Sequence, residues 1–150
     1  MFLIICSIMP NMTIADTTHE GNGQTQMPAM TTKGHTGHTG TFEHTMIENN
    51  IRAEFQIMSL ASMNMKDPNG DTHHVMVKLF HDSANHPIKD AVGKVKVIEP
   101  NGNEQINSLK NYNGIYAANF KFIEKGKHGV ICLVNIDGKK HLFKFWYHHG

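Results

Sequence analysis

The sequence predicts an all-β fold, an immunoglobulin-like antiparallel β-sandwich of about seven strands preceded by a disordered His/Met/Thr/Gly-rich N-terminal tail. Three observations carry that prediction. Four Asn-Gly or Asp-Gly pairs, Asn69-Gly70, Asn101-Gly102, Asn113-Gly114 and Asp137-Gly138, punctuate the second half of the chain, and such pairs favour tight hairpins because both residues tolerate positive φ. Between them lie short runs in which apolar and polar residues alternate with period two. No segment longer than about ten residues offers a clean helical stripe.

Taken from the N-terminus, residues 1–9 are apolar and end at Pro10, too short a stretch to span a bilayer. With Thr13 and Ala15 at the minus-three and minus-one positions, residues 1–15 read as the end of a secretory signal cleaved after Ala15, its basic n-region missing. The competing reading is a short buried strand or a frayed terminus. Export would place the protein in the periplasm or cell envelope. Lipidation at Cys6 is disfavoured because Ile5 is bulky for the residue before a lipidated cysteine and almost no apolar run precedes it.

Residues 16–50 are rich in Thr, Gly, His and Met, with Phe42 the only aromatic. Such a stretch buries too little apolar surface to offset the entropy of ordering it, so a mobile tail is expected there. Gly34-His35-Thr36 is repeated as Gly37-His38-Thr39, with His44 and Met46 close behind. Glycine spacers would let imidazoles and thioethers wrap an ion loosely, which makes His35, His38, His44 and Met46 a weaker candidate ligand group. The plainer alternative is a Thr/Gly-rich linker that happens to carry histidine.

From residue 51 to residue 150 the chain reads as the folded domain. Its expected strands are a run from Arg52 to Met65, then Val75, Val77 and Leu79 alternating with His74, Met76 and Lys78. Val95 and Val97 come next, facing opposite to Val92, Lys94 and Lys96. Ile115 to Phe122, Val130 to Val134 and Leu142 to Tyr147 complete the set. Cys132 lies in the most apolar run and reads as a small buried hydrophobe. Trp146, with Phe143, Phe145 and Tyr147, reads as core and sheet surface. His81, His86, His128 and His141 fall near strand ends and turns and read as solvated surface, while His148 and His149 read as a frayed end or an addition to a metal-binding surface.

Composition narrows the function. The 150 residues carry a net charge of +1 and are only 18% charged, which gives no electrostatic case for nucleic acid or anionic lipid. Two cysteines exclude a disulfide framework and any Cys-only zinc or iron–sulfur site. The excess lies in twelve His and ten Met, and all ten Met occur at or before Met76. Core filling alone would not divide them so.

The most informative stretch runs from Met63 to Met76. If Pro68-Asn69-Gly70-Asp71 is a four-residue loop joining two strands, Met65 lies opposite His74 and Met63 opposite Met76. Cross-strand neighbours stand about 4.5–5.5 Å apart at Cβ, within reach of a shared ion. Met63, Met65, His73, His74 and Met76 are therefore the candidate metal ligands. Thioethers are soft and stay unprotonated, so a Met/His set selects Cu(I) or Ag(I), whereas imidazoles also serve Cu(II). The alternative is that the methionines plug the core and His73 and His74 are exposed strand residues. No nucleophile elbow, Ser/His/Asp order, phosphate-binding glycine loop or Cys-x-x-Cys is present, so no enzymatic activity is expected.

The run Thr72 to Phe80, His86-Pro87-Ile88-Lys89-Asp90-Ala91, Val95 to Gly102, Gly114-Ile115-Tyr116-Ala117-Ala118 and Lys125 to Val130 together resemble the YtkA-like family. The likeness covers about Thr72 to Tyr147, half the chain, and its "P-x-G" and "G-x-Y" elements occur in other immunoglobulin-like modules. Asn85 departs from the glycine usual before the His86-Pro87 step. The resemblance implies a small exported β-sandwich, often membrane-tethered, found near copper-handling and respiratory-oxidase assembly proteins, and it supplies no activity. The His73-His74-x-Met76 step is similar to the opening of metal-associated members. The expectation is thus an extracytoplasmic copper or silver protein that buffers the ion or delivers it to metal-transport or oxidase-assembly partners. The alternative, of a different class, is a β-sandwich interaction module of an envelope complex with no metal role.

Overall fold

A computed structural model describes residues 40–150. The described residues form ten strands: β1 (Thr41–Glu48), β2 (Ile51–Ser59), β3 (His73–His81), β4 (His86–Pro87), β5 (Val92–Ile98), β6 (Glu104–Ser108), β7 (Lys110–Tyr112), β8 (Ile115–Phe120), β9 (Gly126–Ile136) and β10 (Lys139–His149). They build two antiparallel sheets, one ordered β1-β2-β3-β8-β7 with β4 added to β3, the other β10-β9-β5-β6. The protein is an all-β sandwich. The strands outside the expected runs are β1, the two-residue β4, β6 and the three-residue β7. No helix among the described residues is long and apolar enough to cross a membrane.

Alternation places the core. In β2, Ile51, Ala53, Phe55 and Ile57 are buried, and Val75, Val77 and Leu79 match them on β3. Val95 and Val97, then Val130, Cys132 and Val134, then Phe143, Phe145 and Tyr147 supply the facing layer. Each Val, Leu, Ile or Phe among them contributes on the order of 1.5–3 kcal/mol through burial. Phe55 packs edge-on to Phe143 with ring centres 6.0 Å apart. The buried Tyr116 hydroxyl donates to Ile88 O at 2.9 Å and accepts from Ala91 N–H at 3.0 Å, which pins the β4–β5 connection to β8.

The turns follow backbone chemistry. Asn113-Gly114 and Asp137-Gly138 both have positive φ and close the β7–β8 and β9–β10 hairpins. Asn101-Gly102 lies in a longer loop closed by Glu99 N–H to Asn103 O at 2.8 Å. Asn49 and Asn50 close β1–β2 with φ of 48° and 64°, a conformation asparagine tolerates better than most residues.

Two boundaries differ most from expectation. The flexible segment was expected to run to residue 50, yet Thr41–Glu48 is a full strand. It needs no core of its own, because it pairs with β2 along its length, stacks Phe42 on Phe145 and sets it edge-on to Tyr147. The second difference is at the end of β2, which stops at Ser59 instead of continuing to Met65. Leu60 is buried, and its carbonyl accepts the N–H groups of Met63 and Met65 at 3.1 and 2.9 Å. That coils Ala61–Met63 into a 3-10 turn ended by Asn64 at φ 54°. Residues 60–72 therefore connect β2 to β3, and Asn69-Gly70 turns within that connection rather than joining the strands. The expected signal segment 1–15 and the repeat carrying His35 and His38 lie outside the described residues.

Candidate functional site

The register of β2 on β3 decides which ligands meet. Met58 stands opposite His74, Gln56 opposite Met76, and Ser59 opposite His73. The expected pairing of Met65 with His74 and Met63 with Met76 does not form, because the turn anchored by Leu60 removes both methionines from the strand. Met63 is half-buried in the 3-10 turn, and Met65 is exposed. His74 and Met76 do share the outer face of their sheet, as the alternation of β3 requires. Met58, which the sequence reading left out, takes the place expected of Met65.

His74 is anchored from its other side. Its Nδ1 lies 2.6 Å from Asn119 Oδ1, and the Asn119 amide donates to Asp67 Oδ2 at 2.8 Å. A carboxylate only accepts, so the amide nitrogen must face Asp67 and the amide oxygen must face His74. In its neutral form His74 therefore carries its proton on Nδ1 and presents Nε2 as a lone pair. Asp67 also accepts from Asn69 N–H at 2.7 Å. These bonds, the Asn119 amide first, hold its carboxyl below the usual range. Neighbouring Asp71 is pushed the other way, by burial first and then by the charge of Asp67. An imidazole, oriented by a carbonyl-type acceptor that is itself fixed by a carboxylate, has the outer-shell arrangement of a metal-binding histidine. Met76 also lines a shallow depression with Glu43, Glu54, Gln56 and Lys78.

His73 separates from this group. It is buried on the inner face at 7% exposure, at one end of the sandwich. Its ring centre lies 4.9 Å from that of His149 and 5.0 Å from that of Phe122. His128 also stands on the inner face, 6.0 Å from His149 by ring centres and 4.9 Å from Phe122. Burial, then the neighbouring imidazoles of His149 and His128, pull the His73 pKa down to about 4. Among the described residues, no three His, Cys, Asp or Glu side chains converge closely enough to hold an ion as they stand.

His44 and Met46 belong to β1, on the face turned toward the core, and do not join His74. The His44 ring centre lies 4.9 Å from that of Phe145, and burial lowers its pKa. Expected surface histidines also moved inward: His128 is fully buried and His141 is 6% exposed. Each lies on the inward face of its strand, one in step with Val130 and Cys132, the other with Phe143 and Phe145. The alternation already contained that placement. Cys132 is buried as expected, and burial pushes its thiol pKa up to about 12. Trp146 is exposed on the outer face, under the Lys127 ammonium at 4.5 Å.

No protein-family model matches the chain, and no curated protein or solved structure matches it significantly.

Proposed function

We propose that the protein is a non-catalytic, extracytoplasmic binding protein for a soft monovalent ion, Cu(I) in the first place and Ag(I) as its analogue, which it buffers or hands to a partner. The ligands are His74 Nε2 and the thioethers of Met58 and Met76. One observation carries the reading. Asn119, held by Asp67, fixes the His74 tautomer so that its free nitrogen belongs to a face it shares with two methionines. Two thioethers and one imidazole nitrogen are uncharged donors and suit a monovalent soft ion better than Zn(II) or Mg(II). The resemblance to YtkA-like proteins agrees with export and copper handling, and the His35 and His38 repeat would add a loose collector.

The test is an anaerobic Cu(I) titration against a chromogenic chelator. The full chain is expected to bind tighter than about 1 μM. Met58→Leu, Met76→Leu and His74→Ala should each weaken binding, whereas a Met63→Leu/Met65→Leu double variant should not. Equal affinity for the wild type and the Met58→Leu/Met76→Leu double variant would overturn the reading.

A second reading, an interaction module, is favoured by the outer face of the other sheet. There Trp146 and Leu142 are exposed beside Lys94, Lys127 and Lys144, an apolar and basic face of the kind that meets a partner protein.

A further inference from the structure

We propose that His73, His128 and His149 form a second metal site, at the end of the sandwich between the sheets, for a borderline divalent cation such as Zn(II) or Cu(II). It lies on the opposite face of β3 from His74 and does not rest on the soft-ion reading. The three residues come from three strands, β3, the start of β9 and the end of β10, whose alternation turns all of them inward.

Hydrogen bonding assigns the donor atoms. His128 Nδ1 lies 3.1 Å from Gly126 O, and a carbonyl only accepts, so Nδ1 carries the proton and Nε2 the lone pair. That Nε2 is buried without a partner, although buried polar atoms are nearly always paired. The Thr72 hydroxyl sits 2.8 Å from His73 Nδ1, accepts from Phe122 N–H at 2.9 Å and reaches Phe122 O at 3.3 Å. One proton and two lone pairs satisfy all three contacts only if the hydroxyl donates to Phe122 O and accepts from His73 Nδ1. This leaves His73 Nε2 free as well. Both imidazoles thus have a fixed Nδ1 and an open Nε2, the pattern of a histidine prepared for a metal.

The His73–His149 spacing is that of a bound pair, and His128 stands wider. Imidazoles on a tetrahedral ion at about 2.0–2.1 Å have ring centres roughly 5 Å apart. His73 and His149 stand at 4.9 Å, and His128 and His149 at the wider 6.0 Å. The gap to close is on the His128 side, toward both His149 and His73; His149, at the end of β10, is half-buried. Phe122 and Tyr147 wall the site on the core side. Lys125, packed on Gly150, is the nearby cation that weakens binding. Three neutral imidazoles leave one position to water, and a nitrogen-only set favours borderline ions over Ca(II) or Mg(II).

Co(II), then Zn(II), titrated into the full chain tests the site by visible absorption and histidine side-chain NMR. One equivalent of Co(II) should give the intense bands of four-coordinate geometry. Zn(II) should shift the ring signals of His73, His128 and His149 together. His149→Ala, at the last residue of β10, should weaken binding by at least the roughly 10–100-fold that loss of even an outer-shell partner produces. His35→Ala/His38→Ala and His74→Ala should leave the four-coordinate spectrum intact. Unchanged affinity and spectrum in His149→Ala, or Zn(II) shifts confined to other histidines, would overturn the proposal.

Discussion

His74 and Asn119 face each other across β3 and β8, Nδ1 to Oδ1 at 2.6 Å, and Asp67 fixes the amide from behind. The chain Asp67–Asn119–His74 sets a tautomer without itself touching an ion. Asn119→Leu should therefore weaken Cu(I) binding by roughly 10–100-fold while the strands stay paired. Chelator competition measures the first effect and far-UV circular dichroism the second. An Asn119→Leu protein that binds Cu(I) as the wild type does would remove the orienting role.

Gly93 is required by packing. A Cβ there would lie 2.7 Å from both Leu133 O and Val134 Cγ1. The backbone oxygen cannot rotate away, so β5 would have to shift from β9. Gly93→Ala should cost about 1–3 kcal/mol, as overpacking does. A urea midpoint equal to that of the wild type would contradict the close approach.

The legible parts of the molecule were those set by neighbours along the chain. Alternation placed Val75, Val77 and Leu79 inside and His74 and Met76 outside, and the Asn113-Gly114 and Asp137-Gly138 hairpins followed from local φ preferences. The β2–β3 register was not legible, because it depends on Leu60 finding a buried position and coiling Ala61–Met63 behind it. A slide of that kind exchanges Met65 for Met58 as the neighbour of His74. Asn119 is 45 residues from His74, and no local pattern announces it. The inward histidines are a different case. Extending the Val130/Cys132 alternation back to His128, and the Phe143/Tyr147 alternation out to His141 and His149, places all three inside. The assumption that histidines near turns are solvated overrode that signal.

Cys132 offers a check on the core. Its thiol is buried and its pKa is pushed up to about 12, so almost no thiolate exists near neutrality. In a Cys6→Ser background, an aromatic disulfide reagent should leave Cys132 unlabelled in the folded protein and label one thiol after addition of guanidinium. Rapid labelling before unfolding would mean that β9 opens locally.

Acid should destabilise the metal-free protein through His73. Its pKa falls from 6.5 to about 4 on folding, chiefly by burial, then by His149 and His128. The pKa of His149 is lowered in the same direction, by burial first, then by His128 and Lys125. A histidine with a depressed folded pKa binds its proton more readily in the unfolded chain. Its contribution is therefore intact above about pH 6.5 and is lost as pH falls toward 4. The nearby Tyr147 has its pKa raised by burial and stays neutral throughout this range. Urea midpoints measured with chelator present should fall between pH 7 and pH 4.5, and His73→Leu should flatten that slope. If His73→Leu and wild type show the same pH dependence, the buried neutral imidazole is not the source of the acid sensitivity.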